Sequence, residues 1–247
     1  MFSKSLFKQS VKANWKIWTV VTVIMSMLVA QFCAMEKGIM DLTTVVFYGM
    51  MSIIIPTLYV VICANGLLAK QVDDGSMAYV LSSPTKRSAI VITQTVFMLG
   101  SLFLTFLSTA IVHLLLKLIV GSNSLGYAQI VYLNLASFGA VAAISGFCFM
   151  FSGIFNRSKN SIGASGMIAV FFILMSMMAM FGGLGDADSP MAVLDYFKYF
   201  TITTLCDNAI ILAGSAAWIW KICVLLGLTG TLYSVGAVWF CKKDLPL

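Results

Sequence analysis

The chain has 247 residues, of which 60% are hydrophobic and only 10% are charged, and its formal net charge is +6. Its mean hydropathy is +0.99. A soluble domain averages about 25% charged residues, so most of this surface must face something other than water. The composition therefore excludes a soluble globular enzyme, a disordered linker and a nucleic-acid-binding protein.

Long stretches without charged residues predict an all-α membrane protein with six transmembrane helices. The hydrocarbon core of a bilayer is about 30 Å thick and requires about 20 helical residues. A turn-forming sequence at 121–126 precedes the fourth stretch, so we expect that span to begin near Tyr127. The predicted spans are 17–35, 42–69, 88–116, 127–156, 160–185 and 222–241.

The distribution of basic residues predicts the orientation. An even number of spans places both termini on one side, and that side carries eleven Lys and Arg against three Asp. The other side carries four Lys against six acidic residues. Because basic loops stay in the cytoplasm, we expect both termini to be cytoplasmic in a multi-pass protein of a bacterial cell membrane.

Residues 1–16 have the pattern of an amphipathic helix. Phe2, Leu6 and Ala13 occupy one face, and the basic residues recur at helical spacing on the other. These basic residues are Lys4, Lys8, Lys12 and Lys16. We expect this helix to lie on the cytoplasmic leaflet and to lead into the first span. The alternative is a basic tail that only orients that span.

The long connection before the sixth span, 186–213, is apolar but interrupted by Asp195, Lys198 and Asp207. Charges at these positions are too costly for a seventh span. Ser189 and Pro190 form a favourable N-cap and first-turn pair. The segment therefore predicts one or two short helices at the outer interface.

The connection between the second and third spans, 70–87, predicts a short helix on the cytoplasmic side. Gly75 permits a turn, and Ser76 can cap a helix that places Met77, Val80 and Leu81 on one face. Pro84 suits the start of the next helical segment. A short helix displayed between two long spans is suited to docking another protein.

The sequence contains no recognisable catalytic, cofactor-binding or metal-binding motif. No glycine is followed by lysine, so the phosphate-binding loop of ATPases is absent. The only histidine, His113, is expected to be a polar residue near the outer interface. The scarcity of ionisable groups within the spans disfavours an ion-coupled secondary transporter, which remains an alternative together with a membrane scaffold.

The fifth predicted span contains a run of flexible apolar residues. Met175, Met177, Met178 and Phe181 are candidates for lining a substrate path, since thioethers adapt to varied apolar ligands. The same property suits methionine for filling irregular gaps between helices, so a packing role is the alternative.

The order of these elements resembles the permease subunit of type-2 ATP-binding-cassette (ABC) exporters. The sharper match is the sequence before the third span, which is similar to the family's acidic-Gly-Ser/Thr, Leu-Leu-Ser and Pro-x-x-Arg pattern. The matching residues are Asp74-Gly75-Ser76, Tyr79-Val80-Leu81-Ser82 and Pro84-Thr85-Lys86-Arg87. Val80 and Thr85 depart from the commonest form of the pattern.

The resemblance implies one transmembrane domain, 1–247, with a coupling helix at 73–87 that contacts a cytoplasmic ATPase and a smaller contact at 156–160. The implied ATPase-contact residues are Asp73, Asp74, Gly75, Ser76, Tyr79, Leu81, Pro84 and Arg87.

The resemblance also implies the composition of the complex. Two ATPase subunits would bind ATP and Mg, and a second permease copy, in a homodimer or a heterodimer, would pack through spans 2 and 5 among membrane lipid. The complex would export an amphipathic or hydrophobic substrate by alternating access. A peptide is favoured, with a drug or a lipid-like molecule as alternatives. Few intramembrane charges are available to bind a strongly ionic substrate.

Overall fold

The computed structural model describes residues 2–35, 43–82, 86–120, 125–182, 190–206 and 208–243. These residues form helices and contain no strand. Within them, six helices are long and apolar enough to cross a membrane, which confirms the predicted all-α fold with six spans. The spans are Lys4–Met35, Thr43–Asp73, Arg87–Ile119, Tyr127–Ile154, Ser158–Gly182 and Ala217–Lys242.

The α-helices of the described residues are numbered in chain order. They are α1 (Lys4–Met35), α2 (Ser52–Leu67), α3 (Ala69–Asp73), α4 (Ser76–Ser82), α5 (Arg87–Val120), α6 (Tyr127–Ile154), α7 (Ser158–Gly182), α8 (Asn208–Leu212) and α9 (Ala217–Lys242).

Helix α1 is continuous from Lys4 to Met35, so residues 4–16 form the first half of the first spanning helix. It packs along α5, where the Ser10 hydroxyl donates a 2.7 Å hydrogen bond to Gln94 Oε1. Further along, the indole N–H of Trp18 donates to the carbonyl oxygen of Ser101 at 2.9 Å. The four lysines of this half are exposed on the other face. Its position on the cytoplasmic leaflet stays a prediction.

The second span begins with a π-helical segment, Thr43–Met51, and continues as α2. Pro56 lies inside α2 and lacks the N–H that would bond the carbonyl oxygen of Ser52. The chain leaves regular helical geometry again at Leu68, where α2 gives way to the short helix α3. The span is therefore segmented at both ends of α2.

Helix α6 occupies the centre of the bundle and contacts α2, α5, α7 and α9. A helix that is apolar all round must be buried, and small residues on α6 let its neighbours approach closely. A Cβ atom added to Gly153 would lie only 2.7 Å from the carbonyl oxygen of Gly236 on α9. Glycine at both positions thus permits backbone contact between α6 and α9.

The connection before the last span forms two 3₁₀ segments, Pro190–Phe200 and Thr203–Leu205, followed by α8. Three short elements therefore stand where one or two short helices were predicted. The first packs against α7, and the Thr201 hydroxyl donates to the carbonyl oxygen of Phe172 at 3.3 Å. Ser189 and Asp207 lie outside the described residues, as do 186–188.

Candidate functional site

The connection 70–87, called the coupling segment from here on, lies at the end of the bundle that holds the first residues of α1 and the last residues of α9. It comprises α3, a turn and α4 within its described residues. Gly75 adopts a φ of +72°, a left-handed conformation that glycine enters without a steric penalty. Its N–H donates to the carbonyl oxygen of Val72 at 3.2 Å. This turn sets the direction of α4.

Helix α4 has one buried face and one exposed face. Met77 is fully buried in the hydrophobic core, and Val80 is half-buried. Tyr79, by contrast, is 83% exposed. Ser76 begins α4, and its hydroxyl donates to the carbonyl oxygen of Gln71 at 3.2 Å. Leu81 belongs to α4, but its side chain and Pro84 lie outside the described part.

The carboxylate of Asp73 connects α3 to the beginning of α7. Its Oδ2 accepts a 3.0 Å hydrogen bond from the backbone N–H of Ser158, the first residue of α7. The first amides of a helix have no partner within the helix, so an acidic side chain there acts as a cap. Asn65 of α2 donates to the Ser158 hydroxyl at 2.8 Å. The two regions predicted to contact an ATPase, 73–87 and 156–160, are therefore directly joined.

The side chain of Arg87 binds the C-terminal end of α9. Its Nη1 donates to the carbonyl oxygen of Lys243 at 2.9 Å. The ammonium group of Lys243 in turn donates to the carbonyl oxygens of Gly153 and Phe155, at 3.0 and 3.1 Å, at the end of α6. A cation at a helix C-terminus satisfies carbonyl groups that lack a partner and interacts favourably with the helix dipole. Arg87 and Lys243 thus connect the ends of α5, α6 and α9 through hydrogen bonds.

Partial burial lowers the pKa of Lys243 to about 8. Since this value still lies above neutrality, the ammonium form predominates at pH 7 and carries the positive charge that the end of α6 favours. The half-buried side chain of Arg87 thus bonds to the end of α9, and its contact with an ATPase stays a prediction.

The structure does not bring the four predicted path residues together on one face. Met177 lines a narrow groove between the second span and α7, together with Gly49 and Ile53. Met178 and Phe181 are exposed on another face of α7, and Met175 is half-buried.

At the end of the bundle opposite the coupling segment, the groove adjoins a cavity of about 600 Å³. The two share Gly49, Ile53, Ser176 and Met180. The rest of its lining comes from Thr44 and Val45 of the π-helical segment, from Ala179 of α7 and from the short elements before α9.

His113 is fully buried within the bundle, and its place near the outer interface stays a prediction. Asn134 of α6 donates to the Tyr48 oxygen at 2.7 Å, and that hydroxyl lies 2.7 Å from Nδ1 of His113. With Asn134 as donor to its oxygen, the Tyr48 hydroxyl is free to donate its proton to Nδ1. Polar side chains of spans 2, 3 and 4 are thereby joined inside the bundle.

The sequence analysis missed Asn65, Ser158 and Lys243 as members of this site. Ser158 lay within the predicted minor contact, and its place before a long apolar run was the available signal for a helix start. Lys243 was counted only for orientation, although a basic residue after a helix is a recognised capping signal. No local pattern identified Asn65, because its partner is distant in sequence.

Six apolar spans, with a short helix between two of them at one end of the bundle, define a multi-pass membrane protein. Residues 2–245 match the family model described as ABC-2 family transporter protein, and the chain belongs to this family. A search of curated proteins finds no match.

Membership of this family gives the chain its general role. It is the transmembrane permease component of an ABC transporter, a multi-pass membrane protein that associates with a separate ABC ATPase and is not itself an enzyme. The family membership does not depend on the pattern quoted from the coupling segment, since the match extends over nearly the whole chain.

Proposed function

We propose that the chain is the permease of an ATP-driven exporter in the cytoplasmic membrane of a bacterium, with both termini in the cytoplasm. The observation that carries the proposal is the two-faced helix α4. Met77 anchors α4 in the core, while Tyr79 is 83% exposed on its other face. An exposed aromatic side chain on an anchored helix is a typical contact residue at protein interfaces.

In this proposal, the ATPase binds the exposed side of the coupling segment, including Asp74, Ser76 and Tyr79. Two ATPase subunits bind ATP and Mg, and their closure moves the coupling segments. The hydrogen bonds that Ser158 donates to Asp73 and accepts from Asn65 support transmission of that movement to α7, because α3, α2 and α7 meet there. The hydrogen bonds of Arg87 and Lys243 hold the ends of α5, α6 and α9 together.

A second permease copy completes the proposed transport path. Helix α7 has an exposed apolar face over most of its length, which suits packing against a second copy or lipid. Its members are Met167, Val170, Phe171, Leu174, Met178 and Phe181. We favour a homodimer packed through spans 2 and 5, in which the two halves alternate between inward-open and outward-open arrangements.

An amphipathic peptide is the favoured substrate, with a hydrophobic drug or a lipid-like molecule as alternatives. The groove beside Met177 is predominantly apolar, and the adjoining cavity adds polar groups from Thr44, Thr203 and Asn208 together with Lys198. An apolar surface that leads to hydrogen-bonding groups complements a molecule with both kinds of surface. The short elements before α9 would close this path on the outer side.

Purification of the tagged chain from its native membrane in mild detergent tests the proposal. We expect a stoichiometric partner with a phosphate-binding loop, together with ATP hydrolysis that is lost when 73–82 is scrambled except for Met77. Ile119→Ala is the matched control, since Ile119 is 80% exposed at the other end of the bundle. An oligomer of this chain alone, without ATP hydrolysis, would contradict the proposal and favour the carrier or scaffold.

A further inference from the structure

A second cleft opens beside the coupling segment. Its volume is about 490 Å³, and it lies between α1, α2, α7 and the coupling segment. It is distinct from the Met177 groove, because the two share no lining residue. The cleft combines polar side chains with isoleucines of three different helices.

The polar part of the cleft offers hydrogen-bond acceptors. Asn65 is only 3% exposed, and its Oδ1 has no hydrogen-bond partner within the described residues. An unpartnered buried carbonyl group costs free energy, so an N–H donor entering the cleft would be favoured. Gly66 leaves space beside it, since a Cβ atom added there would meet only Asn14 Oδ1, at 3.9 Å.

Two opposite charges border the cleft. Lys70 and Asp74 both line it, lie four residues apart and are exposed. Neither forms an ion pair in the described part of the chain. Charges of both signs next to an N–H acceptor complement a zwitterion that carries an ammonium and a phosphate group.

The apolar walls of the cleft indicate that the other part of the ligand is a hydrocarbon chain. Ile17, Ile62 and Ile162 line the cleft from α1, α2 and α7, and all three are exposed at 37%, 53% and 44%. Since these helices are spans, their exposed isoleucines face lipid or a neighbouring chain and suit a hydrocarbon tail.

We propose that this cleft binds one phospholipid with a primary ammonium headgroup, of the phosphatidylethanolamine type. The ammonium group donates to Asn65 and Asp74, the phosphate group pairs with Lys70, and an acyl chain lies along the three isoleucines. The bound lipid contacts α1, α2, α7 and the coupling segment together, so it stabilises their arrangement and regulates movement of the coupling segment.

Lipid retention by the purified permease and its ATPase, measured by native mass spectrometry, tests this site. The complex is titrated with phosphatidylethanolamine or phosphatidylcholine of identical acyl chains. Phosphatidylcholine has no N–H donor, so we expect it to bind about tenfold more weakly, as for loss of a hydrogen bond to a charged group. Equal retention of the two lipids would overturn the proposal.

Two variants locate the bound lipid. Gly66→Leu places a side chain beside Asn65 in the cleft and Lys70→Gln removes the phosphate partner, so both are expected to lower phosphatidylethanolamine retention about tenfold. Gly100→Leu is the control, because no atom lies within 4 Å of a Cβ added at this exposed position of α5.

Retention equal to that of the Gly100→Leu control in both variants would show that the lipid binds elsewhere. Lys70 is exposed, so Lys70→Gln decides the result even where Gly66→Leu does not fold.

Discussion

The Asp73 carboxylate accepts a 3.0 Å hydrogen bond from the backbone N–H of Ser158, although the two residues are 85 positions apart. Asp73 ends α3 of the coupling segment, and Ser158 begins α7. A displacement of α3 therefore acts directly on the first turn of a membrane span. This contact links the coupling segment to α7, the helix that carries Met177.

Replacement of Asp73 tests this route. Asp73→Ala removes the acceptor, and we expect a loss of about 1 kcal/mol in stability, as for other helix caps. Asp73→Asn retains an acceptor oxygen, so this variant should lose less stability than Asp73→Ala. The thermal unfolding midpoint of the purified chain measures the effect, and substrate-stimulated ATP hydrolysis by the complex should fall in the same order.

Asp74→Ala provides the comparison, because Asp74 is exposed and has no bond to α7. It should weaken ATPase binding without lowering the unfolding midpoint. Equal midpoints for Asp73→Ala and Asp74→Ala would argue against the cap.

The lowered pKa of the Lys243 ammonium group predicts a specific dependence of stability on pH. Its pKa of about 8 lies below the ordinary lysine value of 10.5, so between these values the unfolded chain binds more protons than the folded chain. Raising the pH through this interval therefore stabilises the fold through this group. The unfolding midpoint of the wild type, relative to Lys243→Met, should rise between about pH 7 and about pH 10.

Lys243→Arg serves as the control for charge. Arginine stays protonated throughout this interval, so this variant should lack the rise. A midpoint difference that is constant with pH for the wild type would contradict the lowered pKa of Lys243.

The close approach of α6 and α9 predicts an intolerance of side chains at Gly153. Gly153→Ala places a Cβ atom 2.7 Å from a backbone oxygen of Gly236, which forces the helices apart. We expect a loss of about 1–3 kcal/mol, as in other overpacked cores. Gly230→Ala, on α9 but with no atom within 4 Å of the added Cβ, should gain up to about 1 kcal/mol. Similar unfolding midpoints for the two variants would refute the packing explanation.

Replacement by alanine should have different effects at Met177, which lines the groove, and at a methionine that does not line it. Met177→Ala removes apolar contact from the groove, so the substrate concentration for half-maximal stimulation of ATP hydrolysis should rise about fivefold. Met27→Ala is the control, because Met27 is 67% exposed on α1 and does not line the groove. An unchanged substrate concentration for Met177→Ala would remove this groove from the path.

The spans were predictable because the thickness of a bilayer requires a minimum length of uncharged helix. The expected start of the fourth span near Tyr127 coincides with the first residue of α6. The continuity of α1 was not predictable, since the spacing of its lysines is the same in a helix that bends before the span and in one that does not.

The candidate site was only partly predictable, because its contacts join distant parts of the chain. Gly75 was identified as a turn residue from its lack of a side chain, and it has a positive φ. The partners of Asp73, Arg87 and His113 lie 85, 156 and 65 residues away, respectively. Local periodicity contains no information about such pairs, so the sequence could not identify these partners.

Photo-cross-linking in the native membrane tests the central claim that the exposed face of α4 binds the ATPase. A photoreactive amino acid replaces Tyr79 in one strain and Ile119 in another, since the two positions are 83% and 80% exposed at opposite ends of the bundle. We predict a cross-linked product with a phosphate-binding-loop ATPase from position 79 and none from position 119. A product from position 119 alone, or from neither position, would contradict the claim.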